Sequence, residues 1–462
     1  MSSHSRTRRR AARRRHGRRR PRRRAQDDLA RARPRRAAGR IRDRARGLRA
    51  RQDRSGRGRA YARAVRRIGA RGRRRRRASE RSAAMKYIDE FRDRALAERI
   101  SARIQAEAQP GTRYHFMEFC GGHTHAISRY GVTDLLPDNV RMIHGPGCPV
   151  CVLPVGRIDL AVQLALERGV IVCTYGDTMR VPASGGMSLM RAKAHGADIR
   201  MVYSPLDALK IARLNPDREV VFFAIGFETT TPPTALIVRD AAAAGVDNFS
   251  VLCCHVLTPA AITHLLAAPA VAADAVPLDG FIGPAHVSIV IGSAPYEGFA
   301  RDYRKPVVIA GFEPLDVMQA ILMLIRQVND GRAEVENEFS RAVTRAGNAA
   351  AQALMDDVFE ARESFEWRGL GEVPASALRI RAKYARHDAE ARYGLVYRPV
   401  ADHRKCECGA ILRGLKQPRD CSLFGTVCTP ENPMGSCMVS SEGACAAHYS
   451  YGRFKDIPLV PA

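Results

Sequence analysis

The run VVFFAIGFETTTPPTALIVRDAAAA, residues 220–244, contains a strand pattern, a polar loop and a helix pattern in direct succession. Val220 to Ile225 is uninterrupted apolar sequence, which is typical of a strand buried on both faces. Thr229 and Thr230, shortly before Pro232, are natural helix-start residues, and helical periodicity continues from Thr234 to Ala244. A buried strand that leads directly into a helix is half of a βαβ unit, so this run predicts a parallel sheet covered by helices.

The same alternation continues on both sides of this run. Helical patterns cover Ile158 to Arg168 and Leu315 to Val328, and another begins at Met85 and ends before Pro110. Seven more apolar runs predict strands, at Tyr114 to Phe119, Val140 to Ile143, Val170 to Thr174, Ile199 to Tyr203, Ser250 to Cys254, Phe281 to Gly283 and Pro306 to Ala310. The predicted fold class is therefore α/β, with two parallel-sheet lobes built from βαβ units.

We expect four regions along the chain. Residues 1–84 form an arginine-rich extension, residues 85–200 the first lobe and residues 201–330 the second lobe. Residues 331–462 form a connection with one long helix, Glu334 to Ala361, and a small cysteine-rich iron–sulfur domain. The sequence after Arg404 turns rich in Cys, Gly, Pro and Ser, so this tail has little core of its own and must be held by something else.

The formal charge of +29 is concentrated at one end of the chain. Residues 1–84 contain 36 Arg, no Lys and 5 acidic residues, a sum of +31, whereas residues 85–462 sum to −2. This segment cannot bury enough apolar surface to offset the conformational entropy that it would lose on folding, so we predict that it is disordered. Binding to nucleic-acid phosphates and a transit peptide are alternative interpretations. The preferred interpretation is translation of a GC-rich region upstream of a true start at Met85.

The compartment is predicted from what the sequence lacks and from its cysteines. No apolar run of 18 or more residues is present, so no membrane helix is predicted. No signal-peptide pattern precedes Met85, and we expect a cytoplasmic protein. Twelve cysteines in a reducing compartment favour metal ligation or redox chemistry over structural disulfides.

The first cysteine group begins where a predicted strand ends. Cys120 follows the strand, and a Gly-Gly turn then opens a helix that contains His123 and His125. Ligands of open α/β sheets bind at the carboxyl ends of strands, and the partial positive charge of a helix N-terminus favours a thiolate. We therefore predict that Cys120 is a nucleophile or metal ligand, with the two histidines placed to tune it.

The loop HGPGCPVC, residues 144–151, supplies the second part of this group. A C-x-x-C motif brings two sulfurs, here Cys148 and Cys151, within reach of one metal or of each other, so a metal clip and a redox dithiol both remain open. With Cys120 as a third ligand, one coordination position would stay free, as in a site that loads and releases metal. The alternative is that Cys120 is only a buried apolar residue and that the C-x-x-C loop is only a tight turn. We predict simple apolar packing for three cysteines inside apolar strand patterns, Cys173, Cys253 and Cys254.

Six cysteines lie close together near the C-terminus: Cys406, Cys408, Cys421, Cys428, Cys437 and Cys445. No histidine pair in zinc-finger spacing accompanies them. Dense cysteines separated by Pro and Gly favour an iron–sulfur cluster held by four thiolates, with a Cys₄ zinc site as the alternative. Either site leaves two cysteines over, and a spare pair beside a cluster would suit redox chemistry.

Three further polar loops follow predicted strands and contain the sequences CTYGDTMRVP, GFETTTP and GPAH. Loops at the carboxyl ends of parallel strands are the expected places for contact with a ligand or partner. None of them is a P-loop or a G-x-G-x-x-G motif, so nucleotide binding is not predicted.

Taken together, five ordered motifs resemble the HypD family of nickel–iron (NiFe) hydrogenase maturation proteins. They are FCGGHTH at 119–125, GPGCPVC at 145–151, TYGDTMR at 174–180, GFETTT at 226–231, and a tail with CSLFGTVCTPE at 421–431 and MVSSEGAC at 438–445. The resemblance extends from about Met85 to the C-terminus, and residues 1–84 lie outside it.

The resemblance implies a scaffold on which the hydrogenase iron acquires cyanide and carbon monoxide, as an Fe(CN)₂CO fragment. It implies a HypC-type chaperone that shares the iron, a HypE and HypF pair that delivers cyanide, and, indirectly, the hydrogenase large subunit. No membrane or nucleic-acid partner is expected. The implied role is assembly with redox-active thiols rather than conventional enzymatic turnover.

By motif match, the resemblance implies that Cys120, Cys148 and Cys151 hold iron or act as thiols, with His123 beside them. It also implies a 4Fe–4S cluster in the tail, and the favoured ligands are Cys406, Cys421, Cys428 and Cys445. The rival interpretation is an iron–sulfur-linked thiol–disulfide reductase, in which Cys148 and Cys151 reduce a protein partner and no iron is carried.

Overall fold

The structure is a computed structural model that describes residues 89–267 and 277–452. Backbone contacts divide the chain into two units, Met1–Ala83 and Ala84–Ala462, and every described residue belongs to the second. The predicted extension and the start of the helix predicted at Met85 lie outside the described residues. Among the described helices, none is long and apolar enough to cross a membrane.

The described part of the chain contains thirteen strands. They are β1 (Tyr114–Glu118), β2 (Val140–His144), β3 (Ile171–Thr174), β4 (Ile199–Met201), β5 (Val220–Gly226), β6 (Phe249–His255), β7 (Gly280–Pro284), β8 (Val307–Ala310), β9 (Val335–Asn337), β10 (Phe359–Ala361), β11 (Ser364–Trp367), β12 (Gly371–Pro374) and β13 (Leu378–Ile380). Strands β1 to β8 coincide with the eight predicted strands, because short buried apolar runs are a strong strand signal.

The α-helices lie mostly between these strands. They are α1 (Arg94–Glu107), α2 (Gly121–Tyr130), α3 (Pro149–Val152), α4 (Val155–Glu167), α5 (Leu189–Ala194), α6 (Pro205–Leu214), α7 (Thr231–Ala243), α8 (Thr258–Ala267), α9 (Ala285–Ile291), α10 (Glu297–Tyr303), α11 (Pro314–Asn329), α12 (Ala349–Val358), α13 (Ala389–Tyr393), α14 (Cys408–Leu412) and α15 (Ala444–Gly452). The three predicted internal helices correspond to α4, α7 and α11.

Two parallel sheets form the body of the molecule. The first has the strand order β2-β1-β7-β8-β9 and the second the order β4-β3-β5-β6. Every residue of β5 and β6 is buried, which is why these strands are continuous apolar runs rather than alternating ones. The predicted α/β class with two parallel sheets is confirmed.

The membership of the two sheets differs from the expected division near residue 200. Strands β3 and β4 pair with β5 and β6, whereas β7, β8 and β9 return to the sheet of β1 and β2. The chain therefore leaves the first sheet, completes the second and comes back. Apolar runs predict strands but not their neighbours, because every buried strand offers the same backbone donors and acceptors.

The predicted long helix from Glu334 to Ala361 is wrong. That segment contains the edge strand β9, an irregular stretch, helix α12 and strand β10. Val335 pairs with Val307 at the edge of the first sheet. Gly347 has a φ of +71° and packs against the backbone of Gly292, a conformation that a helix interior does not allow.

Strands β10 to β13 form two small antiparallel pairs that the sequence analysis did not predict. β10 pairs with β13 and β11 pairs with β12. Trp367 of β11 is buried, and its indole N–H donates to Ser376 Oγ over 2.8 Å. A bridge between Val256 and Ala377 joins this region to the end of β6. The region expected to be a helical connection therefore contains a β layer beside the second sheet.

The cysteine-rich tail shares the core of the second sheet. Cys437, Met438 and Val439 are buried in the same apolar cluster as Val152 and Val221. The tail has little core of its own, as predicted, and packing against the body is what holds it.

Candidate functional site

Cys120 lies between β1 and α2, at the carboxyl end of a strand. Its side chain is buried, and its backbone N–H donates to Glu118 Oε2 over 2.8 Å. The N–H of Gly121 donates to the carbonyl oxygen of Gly147 over 3.0 Å. The turn that contains Cys120 is thereby joined to the C-x-x-C loop.

Glycines allow two other segments to approach this turn closely. A Cβ on Gly147 would lie 2.1 Å from the backbone nitrogen of Cys120. A Cβ on Gly121 would lie 2.3 Å from the Cβ of Glu442 in the tail. Larger residues would push these segments apart, so the C-x-x-C loop and the tail both pack directly on the Cys120 turn.

Glu118 is a residue of this site that the sequence analysis missed. It is the last residue of β1 and is fully buried. Its carboxylate accepts hydrogen bonds from the Cys120 N–H, from the Thr124 hydroxyl and from His144 Nδ1, the last over 2.7 Å. Because a buried carboxylate needs such partners, Glu118 fixes Cys120 relative to the loop that starts at His144. The sequence signal is an acidic residue inside an apolar strand run.

The Cys120 thiol faces His286, with 3.4 Å between Sγ and Nδ1. Burial raises the pKa of Cys120 well above its ordinary range, and the carboxylates of Glu442 and Glu118 raise it further. Two N–H groups in the first turn of α2 act in the opposite direction. The N-terminus of α2 thus acts on the pKa in the expected direction, but burial and nearby negative charge outweigh it. A bound metal cation would have to displace the thiol proton.

His286 comes from the GPAH loop, which sequence analysis singled out only as a polar loop. Burial among its neighbours lowers the pKa of His286 to about 4, so the ring is neutral at pH 7. Its ring lies 5.1 Å from that of Phe312. A neutral imidazole beside a thiol can accept the thiol proton or act as a metal ligand.

His123 is buried and faces the first sheet. Its Nε2 lies 3.1 Å and 2.9 Å from the carbonyl oxygens of Ala310 and Gly311. Carbonyl oxygens only accept, so Nε2 carries the ring proton, and Nδ1 has no hydrogen-bond partner within the described part of the chain. Burial lowers the pKa of His123. His123 thus ties α2 to the end of β8, whereas His125 lies 3.0 Å from the Tyr451 hydroxyl.

Cys148 and Cys151 lie together at the start of the short helix α3. The backbone N–H of Cys151 lies 3.3 Å from Cys148 Sγ, and both side chains are buried. Burial raises the pKa of Cys151, and its interactions with the thiols of Cys148 and Cys437 raise it further. The two sulfurs of the motif are therefore neighbours, and a third sulfur from the tail lies against them.

Cys437 joins the two cysteine groups that the sequence analysis treated as separate. Hydrogen bonds from the thiols of Cys151 and Cys408 lower the pKa of Cys437 to about 6. Gly443 leaves room for this contact, because a Cβ there would lie 2.3 Å from the Cys437 carbonyl oxygen and 3.0 Å from Cys151 Sγ. A tail thiol is thus presented directly to the C-x-x-C pair.

Three other tail cysteines gather around Cys408. Interaction with the Cys408 sulfur is the largest cause of the raised pKa values of Cys406 and Cys445. Burial raises the pKa of Cys428, and Cys408 and Cys406 contribute to the shift. The sulfurs of Cys406 and Cys408 lie 2.4 Å and 2.6 Å from where a Cβ on Gly435 would stand.

Cys421, the remaining favoured cluster ligand, begins the turn that ends at Cys428. Its carbonyl oxygen accepts from the Phe424 N–H over 2.9 Å, and Phe424 forms a β-bridge with Cys428. Three of the four favoured ligands thus surround Cys408, and the fourth lies at the other end of a short turn. Within residues 89–267 and 277–452, no three His, Cys, Asp or Glu side chains are already close enough to hold a metal ion.

The TYGDTMR loop binds the tail. Arg180 donates to the carbonyl oxygens of Pro430 and Val439 over 3.0 Å and 2.7 Å. Nearby, the Ser436 hydroxyl donates to the Cys151 carbonyl over 2.9 Å. The loop was predicted to contact a ligand or partner, and in the structure its arginine holds the protein's own tail in place.

Glu228 of the GFETTT loop is also buried. Its carboxylate accepts from the N–H and the hydroxyl of Thr258 over 2.7 Å and 2.8 Å. Burial raises its pKa to about 7. Burial raises the pKa of Tyr296, and Glu228 raises it further. Tyr296 shares an apolar cluster with Phe281 of β7, so Glu228, which follows β5, lies near residues packed on the first sheet.

The remaining cysteines are core residues, as predicted. Cys173 lies in β3, and Cys253 and Cys254 lie in β6, all of them buried. Burial raises the pKa of Cys173 and Cys253 to about 12 and that of Cys254 to about 11, so these thiols stay protonated at neutral pH.

Comparison with known proteins gives an independent result. A family model named HypD, described as "Hydrogenase formation hypA family", matches residues 95–452. The chain is 79% identical over 379 residues to the hydrogenase maturation factor HypD of Cupriavidus necator, and this alignment covers 82% of the chain and 100% of that protein.

More distant relatives align over the same extent. The hydrogenase maturation factor HypD of Azotobacter vinelandii is 65% identical over 378 residues, with 82% of this chain and 100% of that protein covered. The hydrogenase maturation factor HypD of Escherichia coli K12 is 47% identical over 372 residues, with 79% and 98% covered.

Proposed function

Since the chain belongs to the HypD family of hydrogenase maturation factors, we propose that it is the scaffold on which the iron of a NiFe active site is assembled as an Fe(CN)₂CO fragment. The observation that carries this proposal is the convergence of three segments, each with a thiol, at one buried place. Gly147 packs on the Cys120 turn, and Cys437 lies against Cys151. Soft thiolate ligands suit an iron that also binds cyanide and carbon monoxide.

Cys120 is the proposed anchor for the iron substrate. It is held by Glu118 through its backbone N–H, so its sulfur has a defined position. Iron binding requires the thiolate, and therefore the loss of the thiol proton. The neutral His286 ring, 3.4 Å from the sulfur, is the neighbouring base.

Cys148 and Cys151 are proposed to cycle between dithiol and disulfide beside that iron. The dithiol gives two electrons to the ligation of cyanide and carbon monoxide, and the resulting disulfide is then reduced from the tail. The Cys437 thiolate attacks Cys151 Sγ of the disulfide, and Cys148 leaves as a thiolate that takes up a proton. The Cys408 thiolate then attacks Cys437 Sγ of the mixed disulfide and releases Cys151 as a thiol. Two electrons have moved, the C-x-x-C pair is reduced, and Cys408 and Cys437 are joined. The lowered pKa of Cys437 supports its role as attacking group.

Three of the favoured ligands support the proposed 4Fe–4S cluster by their positions in the tail. Cys406, Cys428 and Cys445 surround Cys408, and the missing side chain of Gly435 leaves space beside the sulfurs. The favoured ligands remain Cys406, Cys421, Cys428 and Cys445, which leaves Cys408 and Cys437 as the spare redox pair. When bound, such a cluster supplies electrons one at a time.

The proposed partners follow from the family. A HypC-type chaperone shares the iron, a HypE-type donor working with HypF delivers cyanide, and the hydrogenase large subunit receives the product. The proposed compartment is the cytoplasm, where thiols stay reduced. We propose assembly by redox-active thiols rather than turnover of a small substrate.

Replacement of Cys120 by alanine tests the anchor. We expect the Cys120→Ala protein, purified anaerobically with its chaperone, to lose the infrared bands of iron-bound cyanide and carbon monoxide. Cys173→Ala, which removes a buried core thiol in β3, is the control and should keep the bands. Unchanged bands in the Cys120 variant would refute the proposed anchor.

A thiol–disulfide reductase without iron cargo is the second candidate, because the exchange from Cys148 and Cys151 to Cys437 and Cys408 needs no iron. The same infrared measurement separates the two functions. A protein that reduces a disulfide partner but never shows iron-bound cyanide, even with its chaperone, would favour the reductase.

A further inference from the structure

A groove of about 1000 Å³ opens beside the tail cysteines. Three segments line it: residues 182–191, residues 400–405 and residues 431–434, with Arg180 and Arg368 at its base. This basic groove belongs to neither the Cys120 turn nor the C-x-x-C loop. It lies on the outer side of the tail.

The two arginines at the base of the groove already bind other groups of the protein. Arg180 donates to two tail carbonyl oxygens. Arg368 donates to the carbonyl oxygen of Leu153 and pairs with Asp402. These contacts build the groove but leave its base with little free charge.

The rim of the groove carries charged side chains that, among the described residues, form no ion pairs. Those of Arg191, Arg404 and Lys405 are exposed, and none of them forms an ion pair with a residue in the described part of the chain. They come from two separate segments that face the same groove. Residues 85–462 sum to −2, so this patch is a local feature rather than the general charge of the body.

The groove wall also lies directly over the tail sulfurs. Lys405 precedes Cys406 in the chain, and the Met434 N–H lies 3.4 Å from Cys428 Sγ. Gly435, the next residue, has the sulfurs of Cys406 and Cys408 within 2.6 Å of the position of a Cβ. A molecule seated in the groove is therefore separated from the tail sulfurs by one layer of backbone.

We infer that the basic groove is the docking site of an acidic one-electron carrier protein that reduces the tail cluster. This inference rests on the proposed function, which needs two electrons for each disulfide reduced. Each encounter would supply one electron to a cluster held by the tail thiolates, and the carrier would leave oxidised. Two encounters, with two protons from solvent, regenerate two thiols from the Cys408–Cys437 disulfide.

The groove suits a protein surface better than a small anion. Its volume of about 1000 Å³ gives room for a loop or helix end, and Met187, Met190 and Met434 add flexible apolar contact. Met190 is 47% exposed, so this apolar area is available. A few unpaired charges around an apolar patch are typical of weak, salt-sensitive electron-transfer interfaces.

Binding tests the inference without any need for activity. The full chain is titrated with an oxidised plant-type ferredoxin, an acidic one-electron carrier, at low and at high ionic strength. We expect Arg404→Glu with Lys405→Glu to weaken binding at low salt at least about tenfold, and the difference to shrink at high salt. The matched control, Arg168→Glu with Arg213→Glu, makes the same charge change at exposed positions away from the groove and should bind like the parent.

A second variant tests whether weaker binding by the first comes from disturbance of the neighbouring Cys406. Arg191→Glu, on α5, should weaken binding in the same direction with the cluster spectrum intact. Equal binding by groove and control variants would overturn the inference. So would a cluster that a small neutral photoreductant reduces but reduced ferredoxin does not. Absence of any iron–sulfur spectrum would instead count against the proposed function, while the binding result would still decide the docking site.

Discussion

The buried carboxyl group of Glu228 changes its protonation near neutral pH. The N–H and the hydroxyl of Thr258 donate hydrogen bonds to it. Burial raises its pKa to about 7, from about 4.3 in an unfolded chain. The folded protein therefore binds this proton more tightly than the unfolded chain. The stability gained from it is complete below about pH 4.3 and is lost as the pH rises through 7.

Substitution Glu228→Gln removes this dependence on pH. We expect the variant and the parent to unfold at similar urea concentrations near pH 5, and the variant to be the more stable above pH 8. The expected difference between the two pH values is up to about 3 kcal/mol in the free energy of unfolding. Glu363→Gln, at an exposed position, is the control and should show no such change. Parallel stability curves for Glu228→Gln and the parent would contradict the raised pKa.

At the scale of elements, the tail segment 436–445 lies between the two parts of the body that carry thiols. Glu442 packs on Gly121, beside Cys120, and Gly443 packs on Cys437 and Cys151. At its start, Ser436 binds the Cys151 carbonyl oxygen. One short segment therefore sets the spacing between the proposed iron anchor and the redox pair.

Replacement of Gly443 by alanine should separate this segment from the C-x-x-C loop. The added Cβ would lie 2.3 Å from the Cys437 carbonyl oxygen, and we expect a loss of about 1–3 kcal/mol in the free energy of unfolding. We also expect faster alkylation of Cys151 and Cys437 in the native protein, measured by mass spectrometry.

The matched control is Gly298→Ala in helix α10. There the nearest side-chain atom to an added Cβ is at 3.6 Å, so the change should be neutral or slightly stabilising. If Gly443→Ala behaved like this control in both stability and alkylation, the close contact between the tail and the C-x-x-C loop would be disproved.

At the scale of the whole molecule, the site depends on the path of the chain through two sheets. β1 brings Cys120 to the carboxyl ends of the strands of the first sheet, and the C-x-x-C loop follows β2 on the way to the second. The return of β7 to the first sheet then places His286 against Cys120. Neither sheet alone contains the complete site.

A chain that begins at Met85 should keep this whole arrangement. The apolar clusters of the core are built from Ile100 onward, with Leu96 and Ala97 packed against them, and the family model matches residues 95–452. We expect the shortened chain to match the full chain in thermal midpoint and in its iron–sulfur spectrum. A shortened chain that failed to fold would show that the extension contributes to the body.

Local sequence was enough to predict eight of the nine strands of the two parallel sheets, the helices α4, α7 and α11, and the position of Cys120 at a strand end. These features depend on the local spacing of apolar residues and on turn residues, and both signals can be recognised within a few consecutive positions of the chain. The same local pattern misassigned Glu334 to Ala361, because β9 is specified by the sheet edge it joins and not by its own periodicity.

By itself, then, the sequence determined the α/β class, the two parallel sheets and the cysteine motifs that resemble one family. Tertiary structure alone decided which strands share a sheet, that Glu118 and His286 belong to the site, and that Cys437 lies between Cys151 and Cys408. The physical reason is that these facts are contacts between residues far apart in the chain. Such contacts are set by the packing of whole elements and by burial, which also outweighs the effect of the α2 N-terminus on the pKa of Cys120.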